Sequence, residues 1–143
     1  MKRQISGLVA AFIALSGCAV RAGEGQGIGT LRCDADDRPM VRDMLYFGRN
    51  KPAGGEVTDA EWHTFLAGFV TPRFPNGLTV VHATGQWKGA SGAVETERTA
   101  VVSLLHSGDT ASRDAVAAVV AEYKSRFGQE AVLRERIFTC SAF

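Results

Sequence analysis

No stretch of this 143-residue chain offers the roughly twenty consecutive apolar residues that a membrane-spanning helix requires. Long runs of like charge are missing too: sixteen Lys and Arg stand against fifteen Asp and Glu, dispersed along the chain. A nucleic-acid surface needs clustered cations, so no nucleic-acid partner is expected. Histidine is scarce. His63, His82 and His106 fall in different segments, and no two have the i, i+4 or strand i, i+2 spacing of a metal pair, which excludes a local zinc motif. There is no Gly-x-Ser-x-Gly elbow, no phosphate-binding loop and no dinucleotide fingerprint; the alternating glycines from Gly23 to Gly29 follow no strand-like segment. The sequence therefore nominates no cofactor, no metal and no catalytic residue.

What is present begins with a targeting pattern. Lys2 and Arg3 precede the apolar run Gly7–Leu15, which is too short to span a bilayer and reads as a secretory signal. It ends in Leu15-Ser16-Gly17-Cys18, which resembles the lipobox of bacterial lipoproteins. The resemblance implies cleavage before Cys18, lipidation of that cysteine and attachment to the membrane through the lipid. Ala19 stands where an Asp would retain a lipoprotein at the inner membrane, so the same rule implies the outer membrane and a periplasmic placement. The competing site, Val20-Arg21-Ala22, suits ordinary signal cleavage and would leave a soluble secreted product. On the lipoprotein reading residues 1–17 are the signal peptide, and losing Lys2 and Arg3 takes the formal charge from +1 to −1. Residues 18–32 are rich in glycine with little to bury, as a flexible tether would be.

Residues 33–143 then form one small domain with a single core, marginal enough to benefit from a covalent staple. Of the three cysteines, lipidation of Cys18 leaves Cys33 and Cys140, an even pair in an oxidising compartment.

The domain reads β-α-β-β-α-β. Met40–Phe47 is strand-like, and Thr58-Asp59-Ala60-Glu61 resembles a capping box. Behind that box, Trp62, Phe65, Leu66, Phe69 and Val70 repeat at i, i+3, i+4, i+7 and i+8, which makes one buried helix face. Pro72 lacks an N–H and disfavours helical dihedrals at Thr71, so the helix is expected to stop there. Pro75-Asn76-Gly77 supplies a turn into a strand over Leu78–Trp87, joined through Lys88–Gly92 to a third strand over Val94–His106. Asp109 or Thr110 caps a second helix carrying Val116, Val119, Val120, Tyr123 and Phe127, stopped by Gly128. Ala131–Cys140 is the last strand. This order is that of the ferredoxin-like split βαβ fold: a four-stranded antiparallel sheet, order 4-1-3-2, with two helices on one face. In it the start of the first strand lies beside the end of the fourth, so Cys33 and Cys140 are placed to bond.

A tight bend at Ala90-Ser91 would set Trp87 opposite Val94 and Gln86 opposite Glu95. On that register Val81, Ala83, Ala100, Val102 and Leu104 receive the helices. The open face then gathers His82, Thr84, Gln86, Glu95, Glu97 and Thr99, either an ordinary solvated face or a site for acid–base work. Arg73, braced between Pro72 and Pro75, is either a solvated cation at a helix C-terminus or a guanidinium held against Glu97 or an anion. Trp87 either packs on its hairpin or anchors a partner.

Tyr46-Phe47-Gly48, Thr71-Pro72-Arg73-Phe74-Pro75, Gly77-Leu78-Thr79, Gly85-Gln86-Trp87, Glu97-Arg98, and Arg126-Phe127 with Gln129-Glu130 occur in that order over residues 40–140. Together they resemble the bacterial family catalogued as domain of unknown function 3574, whose members are similar in being small secreted or lipoprotein-like chains. That resemblance implies architecture and localisation and carries over no catalytic residue. The sequence reading is thus a lipid-anchored envelope module that binds or interacts without catalysis, with Arg73, His82, Gln86, Trp87, Glu97 and Arg98 as candidate binding residues. A homodimer through the open sheet face is the partner it suggests. The alternative is a small-molecule enzyme with a pocket on that face in a dimer. Convergence of Arg73, Gln86, Trp87, Glu97 and Arg98 on one cavity would favour the alternative.

Overall fold

A charge at a core-facing strand position and two glycines facing the other way organise this sheet. The computed structural model describes residues 32–88 and 92–142; Cys18, the signal segment and nearly all of the tether lie outside them. The elements are β1 (Arg38–Gly48), α1 (Asp59–Phe65), β2 (Thr79–Lys88), β3 (Val94–His106), α2 (Thr110–Phe127) and β4 (Leu133–Ser141). The sheet runs β2-β3-β1-β4 and every neighbouring pair is antiparallel, the order expected for a ferredoxin-like fold.

Alternation explains which face is covered. Val41, Asp43, Leu45 and Phe47 of β1 and Ala100, Val102 and Leu104 of β3 are buried, and Leu45 pairs with Val102 and Phe47 with Ala100. Onto them pack Trp62 and Phe65 of α1 and Val116, Val119, Tyr123 and Phe127 of α2. Phe47, Phe65 and Tyr123 meet edge to face with centroids 4.7–5.9 Å apart. Truncating any of these rings to alanine would cost about 3–5 kcal/mol. α1 starts in the expected capping box, with Thr58 Oγ1 accepting the Glu61 N–H and Glu61 accepting the Thr58 N–H. Asp109 caps α2, and Gly128 ends it at φ 67°, a left-handed conformation natural to glycine.

Two local expectations are corrected. Pro72 does not stop the helix at Thr71. After Phe65 the backbone widens into a π-turn over Leu66–Val70 and tightens into a 3-10 turn over Thr71–Arg73. Thr71 keeps helical dihedrals and donates to Leu66 O, and Pro72 sits in the first turn of the 3-10 segment, where its missing N–H leaves no helical bond unmade.

The β2–β3 register is the second correction. Trp87 pairs with Glu95 and Lys88 with Val94, one residue from the expected pairing. Five residues connect the last pair instead of an even-numbered tight bend, so β2 is turned over relative to expectation. Leu78 and Val80 pack toward the helices, while Val81, Ala83, Gly85 and Trp87 share the open face with Val101, Thr99, Glu97 and Glu95.

Cys33 and Cys140 form a disulfide with Cα atoms 5.5 Å apart. It ties the segment before β1 to the end of β4, where Pro39 pairs with Cys140.

Candidate functional site

Glycine decides where the open face becomes concave. On β1, Gly48 pairs with Thr99, and on β2, Gly85 pairs with Glu97. Neither has a side chain to raise the floor, and neighbours occupy the space a side chain would fill. A Cβ on Gly48 would lie 2.5 Å from Glu97 Oε2, and one on Gly85 would lie 2.6 Å from Thr99 Oγ1. The Glu97 carboxylate therefore lies down across Gly48, where Oε2 accepts the Asn50 N–H at 3.2 Å. Oε1 has no hydrogen-bond partner among the described residues.

Around this floor is a cleft of about 330 Å³. Trp87 borders it on the β2 side, Tyr46 and Leu133 on the β1–β4 side, and Asn50–Pro52 and Gln129–Ala131 at its end. The supports are well tied. Tyr123 Oη donates to Gly48 O at 2.8 Å, and Gln129 Nε2 donates to Asn50 O at 2.7 Å. Tyr46 Oη donates to Glu135 Oε2 at 2.5 Å, and that carboxylate raises the Tyr46 pKa. Among the described residues Glu95, Glu97 and Glu130 border the cleft against one cation, Lys51. The Lys51 Nζ is bound to Glu61 Oε1 at 2.9 Å, which with the Thr58 N–H lowers Glu61 to about 2. No cation pairs with Glu95, Glu97 or Glu130 among the described residues.

Of the six residues nominated from sequence, three meet here: Glu97 in the floor, Trp87 in the wall and Gln86 at the border. The others do not. Arg73 donates to Phe69 O at 2.8 Å and lies 3.5 Å from the Phe69 ring centroid, so it closes the helix end beneath it. His82 pairs with Ala100 and so belongs to the helix-side face, where it is exposed. Arg98 also projects to the helix side and binds Asp59 Oδ1 at 2.9 Å and Glu56 Oε1 at 3.2 Å.

Asp59 also takes the fully buried Arg49, at 2.9 Å, and the Arg49 and Arg98 bonds together hold its pKa down. Arg49 further donates to Val57 O, pinning the loop that follows β1. Sequence reasoning missed it. The available signal was position: Arg49 has the parity of Val41, Leu45 and Phe47, so its charge had to find partners inside.

A second charged group was also missed, at the other end of the sheet. Asp43, fully buried, accepts from His106 Nε2 at 2.9 Å and from Arg136 at 2.8 and 3.0 Å. The Gly108 N–H donates to His106 Nδ1 at 3.0 Å, which leaves the ring proton on Nε2, facing Asp43. Burial pushes the Asp43 carboxyl up, but the Arg136 and His106 bonds outweigh it and the pKa is lowered. Every group here is engaged by another, so the cluster offers nothing to a ligand.

Among the described residues no group of three His, Cys, Asp or Glu is placed to hold a metal, and no helix is long and apolar enough to cross a membrane.

Comparison with known proteins gives the fold company. A phage SAM lyase in complex with S-methyl-5'-thioadenosine is similar at TM-score 0.56 and 16% identity, over 80% of this chain and 95% of that one. The apo form of a phage SAM lyase gives 0.52 and 15%, over 79% and 95%. CutA from Synechococcus elongatus gives 0.49 and 10%, over 77% and 84%. At such identities the likeness to the two lyase structures shows the fold alone. No curated protein matches the chain. Residues 42–143 match the model of the family described as "Protein of unknown function (DUF3574)", and the chain belongs to that family.

Proposed function

We propose that this protein is a lipid-anchored protein of the bacterial envelope that binds a small molecule in the cleft over Gly48 and Gly85. The observation that carries the reading is Glu97: a half-buried carboxylate in a cavity with no cationic partner among the described residues, beside supports that are tied to one another. Side chains left open inside a concavity are what a binding site presents. The lipid anchor rests on the Leu15-Ser16-Gly17-Cys18 pattern, and the reading of a periplasmic outer-membrane placement rests on Ala19 after it.

Native mass spectrometry of the purified full-length Cys18→Ala chain tests the binding reading. A co-purifying small molecule that disappears in Trp87→Ala supports it; an empty protein from several growth conditions counts against it. The same substitution tests the anchor, because wild type should sediment with membranes and the variant should not.

A catalytic role for the same cleft is the second reading. The similar fold of the phage SAM lyase is a precedent for small-molecule chemistry on this architecture and no more than that. Conversion of the co-purified molecule by wild type, abolished in Glu97→Gln, would favour it.

A second copy is the partner the open face suits. Val81, Leu133 and Ile137 lie about half exposed there. Arg42, whose side chain has no ion-pair partner among the described residues, sits diagonally from Glu135 across β1 and β4, so a two-fold mate offers each the opposite charge. Sedimentation equilibrium of Ile137→Asp against wild type tests it, and equal masses for the two would refute it.

A further inference from the structure

We infer that the molecule held in the cleft is an organic cation with a flat apolar body, its positive centre on Glu97 and its body against Trp87 and Tyr46. This rests on the small-molecule reading above and names the chemistry of the occupant.

Charge balance is the first argument. Glu95, Glu97 and Glu130 border a cavity whose one cation among the described residues, Lys51, is already bound to Glu61 at 2.9 Å. An anion entering here would meet three carboxylates and, among the described residues, no free positive charge, whereas a cation would offset one of those charges. Position is the second. Glu97 is not extended into solvent on its flexible stem. It is folded over Gly48, with one oxygen on the Asn50 N–H and the other without a partner among the described residues. A carboxylate so placed gives a charge-assisted hydrogen bond stronger than a solvated one would give.

The walls supply the third argument. Trp87 is 47% exposed at the cleft edge, and Tyr46 stands across the floor with its hydroxyl fixed by Glu135. Aromatic faces beside a carboxylate attract cations through the ring quadrupole and accept flat apolar groups. A hard metal ion would need several oxygen ligands within about 2.6 Å, and no such cluster exists among the described residues. The volume, about 330 Å³, lies at the small end of the ~300–1,000 Å³ typical of small-molecule sites.

Phenethylamine, cationic at neutral pH, and 3-phenylpropionate, an anion of similar shape, form the test pair. Their binding to the full-length Cys18→Ala chain is followed by ligand-observed NMR and by Trp87 fluorescence at low salt. The expected result is binding of phenethylammonium at least about tenfold tighter than of phenylpropionate, the scale of one charge-assisted hydrogen bond. Glu97→Gln keeps the acceptor for Asn50 and should erase that preference, while raising salt should weaken it. Equal or reversed preference overturns the inference, as does a preference unchanged in Glu97→Gln. Saturable binding of phenylpropionate that Trp87→Ala abolishes would overturn the cation alone and leave the cleft a binding site. If neither probe binds, the cation inference falls; if native mass spectrometry also finds no co-purified molecule, the binding reading falls with it.

Discussion

The two ends of the sheet each hold a carboxylate on a central strand, and they treat it in opposite ways. Asp43 on β1 is fully buried and held by His106 and Arg136. Glu97 on β3 is half buried over a glycine, with one backbone N–H and, among the described residues, no cation. Near Asp43 the Cys33–Cys140 bond also closes the edge between β1 and β4. Near Glu97 the two glycines open the face. A charge taken out of water is tolerable when its partners come with it, and then it serves the fold. A charge left without partners in a concavity costs stability and is available to something that is not part of the chain. The two ends should therefore separate under mutation, one through stability and the other through binding.

Asp43→Ala should give the largest change, about 3–5 kcal/mol by chemical denaturation, because it leaves Arg136 and His106 facing an empty site. Glu97→Gln should stay within about 0.5 kcal/mol of wild type in the same assay; a cost like that of Asp43→Ala would make Glu97 structural and collapse the contrast. The acid limb of stability should follow Asp43 as well. Its folded pKa lies below the ordinary 3.8, so the unfolded chain binds the proton more readily. The contribution is fully present above that value and drains away as the pH falls through the folded pKa. Wild type minus Asp43→Asn, measured from pH 6 downward, should narrow only in that acid window.

Reduction of the disulfide comes next, at about 2–4 kcal/mol. Denaturation with and without reductant measures it, and a Cys33→Ser/Cys140→Ser chain should be insensitive to reductant. Smaller still are the glycines. Gly85→Ala drives a Cβ into Thr99 Oγ1, whose residue is buried, and should cost about 1–2 kcal/mol. Gly48→Ala meets the end of a flexible glutamate, so it should cost less than about 1 kcal/mol while displacing the carboxylate and removing Glu97-dependent binding. If Gly48→Ala binds the phenethylammonium probe like wild type, the floor has been misassigned.

The order of elements, the sheet order, the helix caps and the disulfide were legible in the sequence because each rests on local chemistry or on the connection rules of a β-α-β-β-α-β chain. Thr58 with Glu61, a cap at Asp109 or Thr110 with Gly128, and Cys33 with Cys140 needed no knowledge of the β2–β3 register. The open face of β3 was legible for the same reason: Glu95, Glu97 and Thr99 alternate with the buried Ala100 and Val102. What faced them on β2 was not. The number of residues in the connection, not their hydrophobicity, set that register, and one residue exchanged His82, Thr84 and Gln86 for Ala83, Gly85 and Trp87. The Asp43 and Arg49 partnerships join strands and loops distant in the chain, and they become visible only once pairing is known. A charge at buried parity announced that partners existed without naming them.

Arg73 gives the smallest expected effect and the sharpest check on that lesson. Bracketed by Pro72 and Pro75, it invited a reading as a braced guanidinium held against Glu97. In the structure its guanidinium stacks on Phe69 and donates to the carbonyl of the same residue. It thus gives the Phe69 carbonyl a side-chain donor where the π-turn gives way to the 3-10 segment. Arg73→Ala should cost a few tenths of a kcal/mol, the scale of a surface substitution, with Arg73→Lys recovering part of it because a lysine can reach the carbonyl but cannot stack as a plane. In a double-mutant cycle Arg73→Ala and Glu97→Gln should add within about 0.3–0.5 kcal/mol, as residues without shared partners do. Phenethylammonium binding should be unchanged in Arg73→Ala. Coupling well beyond that limit, or a loss of binding, would place Arg73 back at the cleft and make the open end a paired site like the Asp43 end.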